Sequence, residues 1–261
     1  MNALGKKIDP RQYWEERARC FGNNDEGWKA VCCRGAPEYY NRLFHRLQRR
    51  AFLRTLRLSP EMVGLELGCG VGRWLVELSS RVKALHGLDI SPTMIDQARN
   101  RLRALNIKSV YLEQFDGCRI PYRDACFDLS FSITVLIHII DPNNLRRAVA
   151  ELCRVTKPNG RIIILESFAP EPFSSPSHIR FRPEEEIIEL FQKSGWGIKS
   201  SSPVCPFPPK ETWLRTRTSR ILFRAFSPLL YLLNATCRKL NIKGSPPVQK
   251  VHCYHYEGSR E

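Results

Sequence analysis

Between residues 62 and 166 the chain alternates short apolar runs with amphipathic segments, and this pattern limits its fold more than any other. The apolar runs predict five strands, at Met62–Gly68, Lys83–Ile90, Lys108–Gln114, Phe127–Ile133 and Arg161–Glu166. The amphipathic segments predict helices at Val71–Val82, Pro92–Leu105 and Asn143–Val155. Strands that alternate with helices form β-α-β units, so we expect an α/β fold with a parallel sheet buried on both faces.

The chain after residue 166 shows a different pattern. A polar, proline-rich stretch covers residues 169–183, and a helix is predicted at Glu184–Ser194. Two further strands, around Trp196–Val204 and Gln249–Glu257, suggest a terminal hairpin. We therefore expect four parts: an N-terminal helical cap (1–60), a core (61–205), a helical insertion (206–248), and a final strand with a tail (249–261).

The first predicted strand runs into a glycine-rich turn, Glu66-Leu-Gly-Cys-Gly-Val-Gly72. Its three glycines, spaced as GxGxG, leave backbone N–H groups open to a ligand at the start of a helix. Asp89 ends the second strand 21 residues after Gly68. At that place a carboxylate can accept hydrogen bonds from both hydroxyls of a ribose. The turn and the acid together predict a nucleotide-like ligand.

Two classes of ligand use such a turn, dinucleotides and S-adenosylmethionine. The dinucleotide fingerprint has a third glycine where this chain has Arg73. Glu66, two residues ahead of Gly68, would repel a pyrophosphate but suits a sulfonium cofactor that carries an ammonium group. Both features favour S-adenosylmethionine. Two structural interpretations stay open: a plain tight turn for the glycines, and a helix N-cap for Asp89.

Four segments of the chain, in this order and spacing, resemble the motifs of class I S-adenosylmethionine-dependent methyltransferases of the small-molecule branch. They are Glu66–Gly72, Gly87–Pro92, Ile120–Asp128 and Arg154–Gly160. The resemblance covers roughly residues 60–200. It implies a Rossmann-like sheet of seven strands, mostly parallel, with helices on both faces and an antiparallel last strand. It also implies S-adenosyl-L-methionine as the cofactor.

The resemblance assigns roles to residues of the predicted cofactor site. Gly68 and Gly70 would face the methionine half, Asp89 the ribose and Asp116 the adenine amino group. The full set implied is Glu66, Gly68, Cys69, Gly70, Gly72, Asp89, Ile90, Phe115, Asp116, Gly117, Ser132 and Ile133. The N-terminal segment Tyr13–Ala18 resembles the short helix that closes over the cofactor in this branch, although an ordinary amphipathic helix is an equal alternative.

Two candidate catalytic residues stand at the carboxyl ends of strands, where open α/β sheets bind their ligands. His138 follows the fourth strand and Glu166 ends the fifth. Transfer to oxygen requires the nucleophile to lose a proton, so a nearby general base helps. We expect His138 to be the base and Glu166 its orienting or substrate-binding partner. The alternative for His138 is a hydrogen-bonded histidine on an apolar segment.

The ten cysteines contain no CxxC pair and no Cys/His spacing of a zinc site, so no metal is expected. The N-terminus lacks the apolar stretch of a secretory signal, and no run of eighteen apolar residues occurs. These features predict a reduced, cytoplasmic protein.

The net charge of +15 is concentrated at the two ends of the chain. Residues 1–60 carry 13 Lys and Arg against 6 Asp and Glu, residues 211–261 carry 9 against 3, and the middle carries 19 against 17. The ends lack the glycine and aromatic pattern of a dedicated RNA module, which makes nucleic acid an unfavoured partner. Two basic amphipathic segments, 39–57 and 213–240, suit an anionic or lipid-linked acceptor.

We interpret segment 213–240 first as a lid over the acceptor and second as a helix at a membrane surface. The predicted function is methylation of a small-molecule or lipid-linked acceptor, with oxygen as the favoured target. Two alternatives stay open: methylation at a carbon of a quinone-like ring, and methylation of the wobble uridine of tRNA.

Overall fold

The computed structural model describes residues 9–21, 38–174, 178–204 and 248–258. The helices are α1 (Pro10–Phe21), α2 (Glu38–Thr55), α3 (Arg73–Leu78), α4 (Pro92–Ala104), α5 (Pro142–Val155) and α6 (Glu184–Lys193). The strands are β1 (Val63–Leu67), β2 (Ala84–Asp89), β3 (Val110–Gln114), β4 (Phe127–Ile133), β5 (Thr156–Phe168), β6 (Phe173–Ser174), β7 (Arg180–Phe181), β8 (Trp196–Pro203) and β9 (Val248–Tyr256).

Seven of the strands form one sheet in the order β3-β2-β1-β4-β5-β9-β8. The pairs among β1 to β5 are parallel, whereas β9 is antiparallel to both β5 and β8. The predicted α/β fold with an antiparallel last strand is confirmed. The strand order reverses between β1 and β4, and an open α/β sheet binds its ligands in the crevice at such a point.

Two of the motif segments, Ile120–Asp128 and Arg154–Gly160, are joined to each other by hydrogen bonds of Arg154. Arg154 at the end of α5 donates to the carbonyls of Ile120 (2.9 Å) and Tyr122 (2.8 Å). The same guanidinium binds the carboxylates of Asp124 and Glu151, each at 2.7 Å. These motif residues therefore fix the entry to β4 and take no part in the ligand crevice.

Both faces of the sheet are buried, because apolar side chains project from each face and pack against helices. One face packs against α2 and α3 in a cluster that includes Phe52, Trp74 and Phe131. The other face packs against α5 and α6, with Leu152 and Phe191 in its cluster. Within the described ranges, no helix combines the length and apolar character needed to cross a bilayer.

Several boundaries differ from the predicted ones. The first core helix ends at Leu78, and β5 begins at Thr156, where the sequence predicted a break before Arg161. The proline-rich stretch forms the short hairpin of β6 and β7, which the sequence did not predict. The predicted helical insertion 206–248, with segment 213–240, lies almost wholly outside the described residues.

Helix α1 is bound to the amino end of α4 by hydrogen bonds to Glu15. That carboxylate accepts hydrogen bonds from the Ser91 hydroxyl (2.7 Å) and the Thr93 N–H (3.2 Å). Further along, the Gln97 amide donates to the carbonyl of Ala18 at 2.9 Å. An acid at a helix amino end is favoured by the unpaired N–H groups there. These contacts place α1 over the carboxyl edge of the sheet.

Candidate active site

The glycine turn adopts a backbone that side chains disfavour. Gly68, Gly70 and Gly72 have φ values of +73°, +51° and +76°. A Cβ on Gly68 would lie 2.4 Å from Cγ2 of Val135, which follows β4. The turn is held against β2, since the N–H groups of Gly68 and Cys69 both donate to the Leu88 carbonyl, at 2.8 and 2.9 Å. The turn is therefore tight and close to the neighbouring strand end.

Asp89 ties the glycine turn to the start of α4. One oxygen accepts the Gly70 N–H at 2.8 Å and the other accepts the Ser91 N–H at 3.0 Å. Burial raises the pKa of Asp89 to about 6, although these hydrogen bonds favour the ionised form. The N-cap of α4 is Ser91, whose hydroxyl accepts the Met94 N–H.

A cavity of about 770 Å³ opens at this edge of the sheet. Eight of the predicted cofactor residues line it: Gly68, Gly70, Asp89, Ile90, Phe115, Asp116, Gly117 and Ile133. His138 lines the same cavity, so the structure brings the two predicted sites together. Asp116 is fixed by its Oδ1, which accepts the N–H groups of Cys118 (2.7 Å) and Arg119 (3.1 Å).

Four residues expected at the cofactor are not part of the cavity wall: Glu66, Cys69, Gly72 and Ser132. Glu66 is only 1% exposed, and burial raises its pKa well above the ordinary value. Side chains alternate along a strand, and the residues beside Glu66 and Ser132, namely Leu67 and Ile133, reach the wall instead. Gly72 faces Ala98 of α4, with 3.1 Å from its Cβ position to the Ala98 Cβ.

The cavity also contains residues that the sequence did not indicate: Asp9, Pro10, Arg11, Met94, Cys118, Thr134, Val135, Ile139, Ile140, Asp141, Asn144, Ala148 and Arg180. Trp14 of α1, the helix expected to close over the cofactor, lines it as well. Thr134 directly follows β4 and has a φ of +55°, a strained backbone for a β-branched residue that costs about 1–3 kcal/mol. Its position at a strand end was the signal available in the sequence.

His138 lies in a short 3₁₀ turn, Leu136–His138, and is neutral at physiological pH. Its Nδ1 is 3.1 Å from the carbonyl oxygen of His178. A carbonyl only accepts, so Nδ1 carries the hydrogen and Nε2 keeps a lone pair. Burial lowers the pKa of His138 to about 4. The ring packs edge-on against Trp14, with 4.8 Å between centroids, and parallel to His178.

Glu166, predicted as an orienting or substrate-binding partner of His138, does not line the cavity. It is 2% exposed, and its Oε1 accepts the backbone N–H of Leu136 at 2.7 Å. Burial raises the pKa of Glu166 to about 8. The carboxyl group therefore acts on the backbone at the start of the turn that carries His138, rather than on the imidazole.

Arg182, which the sequence did not indicate, holds the other side of residues 136–140, the segment we call the His138 turn. Its guanidinium donates to the carbonyls of Leu136 (3.3 Å), Ile139 (2.5 Å) and Ile140 (3.3 Å). The side chain is 2% exposed, and burial lowers the pKa of Arg182. The His138 turn is thus fixed at an N–H by a carboxyl group and at three carbonyls by a guanidinium.

Across the described residues, no group of three His, Cys, Asp or Glu side chains is arranged to hold a metal ion. The arrangement instead joins an open glycine turn, a carboxylate and a neutral imidazole in one cavity. Such a site can bind a nucleoside-like cofactor and accept a proton from a second ligand beside it.

Comparison with known proteins agrees with this geometry. The family model described as "Methyltransferase domain" matches residues 65–160. The demethylmenaquinone methyltransferase of Bacillus mycoides (strain KBAB4) is 28% identical over 141 residues, which cover 53% of this chain and 56% of that protein. The chain thus matches little more than half the length of this relative.

Solved structures show the same fold. A geranyl diphosphate C-methyltransferase from Streptomyces coelicolor A3(2) superposes with a TM-score of 0.63 at 15% identity, over 97% of this chain and 100% of that one. An N-methyltransferase from Haemonchus contortus, solved with phosphomonomethylethanolamine and S-adenosylhomocysteine, gives 0.66 at 19% identity over 96% and 61%. The motifs, the strand order and the family match agree, and the central part of this chain is a class I S-adenosylmethionine-dependent methyltransferase domain.

Proposed function

We propose that the chain is an enzyme that transfers a methyl group from S-adenosylmethionine to a hydroxyl-bearing small molecule. One observation carries the proposal: the glycine turn, Asp89 and a neutral His138 line a single cavity. A cofactor and an acceptor bound there would lie side by side. Holding two reactants in line can contribute an effective molarity of about 10⁵–10⁸ M.

The cavity residues fit the cofactor. Gly68 has no side chain where a Cβ would collide with Val135, so the backbone can approach a ligand closely. A carboxylate has about four acceptor positions, and Asp89 uses up to three for the N–H groups of Gly70, Ser91 and Ile90. Capacity therefore remains for a ribose hydroxyl. When bound, S-adenosylmethionine supplies a methyl group already activated by its sulfonium.

His138 would act as the general base for the acceptor. The bond from Nδ1–H to the His178 carbonyl fixes the tautomer and leaves Nε2 as the proton acceptor. Because burial lowers the pKa of His138 to about 4, nearly every molecule holds the accepting form at pH 7. The Trp14 ring beside the imidazole helps to exclude water. General base catalysis of this kind contributes roughly 10²–10⁴-fold.

Transfer to the oxygen is our first candidate, because a base beside the acceptor is needed most when the nucleophile is a hydroxyl. Transfer to a ring carbon is the second candidate. It is favoured by the relative named demethylmenaquinone methyltransferase. A ring hydroxyl that loses its proton passes negative charge to the neighbouring ring carbon, so the same proton transfer to His138 serves both reactions.

The test combines cofactor binding, turnover and product identity. Calorimetry should show that S-adenosylhomocysteine binds to the full chain. Tight binding of NAD together with no binding of S-adenosylhomocysteine would contradict the proposal. A cell extract treated with isotope-labelled S-adenosylmethionine should yield a labelled product, in which NMR places the methyl on oxygen or on carbon. His138→Ala should lower turnover by roughly 10²–10⁴-fold with unchanged S-adenosylhomocysteine affinity. His255→Gln, on β9 and outside the cavity wall, is the matched histidine control.

A further inference from the structure

Charged residues line both ends of the cavity. At the acidic end, beside the glycine turn, lie Asp89 and Asp116, together with Arg11, whose guanidinium donates to the Asp116 carbonyl at 3.2 Å, and Asp9, whose carboxylate accepts the Arg11 N–H. At the basic end, beside the His138 turn, lie Arg180 and Asp141, the N-cap of α5. The acidic end suits the cationic cofactor of the proposed function. The basic end is left for the acceptor.

Arg180 is positioned by the backbone rather than by an acidic partner. It lies on β7, where it pairs with Ser174 of β6, and its carbonyl accepts a hydrogen bond from Arg182 at 3.2 Å. Among the described residues, no carboxylate lies within ion-pair distance of its guanidinium. An arginine that lines a cavity without such a partner is suited to bind a carboxylate or phosphate with two parallel hydrogen bonds.

Three other titratable residues lie around the basic end. Asp141 is the N-cap of α5, and its Oδ1 accepts the N–H groups of Asn143 and Asn144, each at 2.9 Å. The buried Arg17 lies behind the wall, where it donates to the Tyr13 hydroxyl at 3.1 Å. Burial lowers the pKa of His178, and the charge of Arg17 lowers it further. Of the described titratable groups that line the cavity at this end, Arg180 is therefore the one that can bind an anion.

Apolar surface lies next to Arg180. The same Arg182 guanidinium binds the carbonyls of Arg180, Ile139 and Ile140, so these residues are close neighbours. Ile139, Ile140 and Trp14 all line the cavity. The basic end thus offers an apolar wall and one cation side by side.

We propose that the methyl acceptor is an amphiphilic anion, with an apolar body against Trp14, Ile139 and Ile140 and a phosphate, diphosphate or carboxylate group bound by Arg180. This inference rests on the proposed function and narrows its substrate class. It disfavours cationic amines as acceptors, because Arg180 would repel them.

The test uses three probes with the same apolar chain and different head groups: octyl phosphate, octanol and octyltrimethylammonium. Each is titrated into the full chain with and without saturating S-adenosylhomocysteine. We expect octyl phosphate to bind at least tenfold more tightly than octanol, as a charge-assisted hydrogen bond pair contributes about that factor. Octyltrimethylammonium should bind more weakly than both.

Variants assign the effect to one side chain. Arg180→Gln should reduce octyl phosphate binding about tenfold, to the level of octanol, while octanol binding stays unchanged. Arg180→Lys should retain part of the preference, since it keeps the charge but loses the paired donors. Arg103→Gln, on the exposed side of α4, removes the same charge elsewhere and should change nothing.

The outcomes separate the two proposals. Wild-type affinity for octyl phosphate in Arg180→Gln, or a preference for octyltrimethylammonium, would overturn the anionic acceptor. If S-adenosylhomocysteine fails to bind while octyl phosphate still binds through Arg180, the anion site stands and the proposed methyl transfer fails. Unchanged S-adenosylhomocysteine affinity in Arg180→Gln shows that the variant is folded.

Discussion

The acidic and basic ends of the cavity are built by different kinds of contact. At the acidic end, backbone N–H groups of the glycine turn and of α4 bind Asp89, and these pieces are consecutive along the chain. At the basic end, Glu166 and Arg182 bind the backbone of the His138 turn from segments that lie about 30 to 46 residues away. The acidic end is formed within one β-α-β unit. The basic end is formed by side chains that are distant from the His138 turn along the chain.

This difference indicates which residues of the site tolerate substitution. Local backbone geometry leaves no room at the glycine turn, so small additions there should affect cofactor binding severely. The His138 turn depends on side chains that can be replaced one at a time. Single substitutions at the two ends should therefore differ in the size of their effects.

Gly68→Ala should cause the largest loss. The new Cβ would meet Val135 at 2.4 Å on a backbone with φ +73°, so we expect about 2–4 kcal/mol of lost stability and severely weakened S-adenosylhomocysteine binding. Denaturant unfolding and calorimetry measure the two effects. Gly258→Ala has φ +95° but no atom within 4 Å of its Cβ position, and it should lose about 1 kcal/mol with normal cofactor affinity. Normal affinity in Gly68→Ala would show that the turn does not cradle the cofactor.

Arg182→Gln should disturb the basic end alone. Three carbonyls of the His138 turn lose donors, at a cost of about 1–3 kcal/mol of stability. Greater water access should raise the pKa of His138 from about 4 toward its ordinary value, which an NMR titration of the imidazole can follow. Arg147→Gln, an exposed change on α5, should leave this pKa unaltered. An unchanged His138 pKa in Arg182→Gln would contradict the positioning role.

Glu166→Gln should have the smallest effect on the geometry of the His138 turn at pH 6.5. Burial raises the pKa of Glu166 to about 8, so the protonated acid predominates there and glutamine is its close analogue. A raised carboxyl pKa stabilises the fold less as pH rises, because the folded state binds more protons than the unfolded state up to the folded pKa. Relative to the wild type, the free energy of unfolding of the variant should therefore rise by about 1 kcal/mol per pH unit between pH 6.5 and 8. Unfolding curves at several pH values measure this gain, and a constant difference would refute it.

The order of the core strands and helices was predictable because it depends on short-range patterns. Apolar periodicity predicted β1 to β5, and the glycine spacing with Asp89 predicted the acidic end, of which eight predicted residues line the cavity. His138 was predictable from its place after β4. Glu66 and Ser132, predicted at the cofactor, do not line the cavity, since a motif does not show which face of a strand each side chain takes.

The parallel sheet, the glycine turn and the position of Asp89 follow from the sequence pattern, because each depends on periodicity or backbone conformation within a few residues. The construction of the basic end depends instead on tertiary contacts. Arg180 and Arg182 come from a proline-rich stretch whose hairpin has no periodic pattern, and they reach the His138 turn only after β5 and β7 are in place. Such long-range side-chain contacts carry no local signal, so only the folded chain shows them.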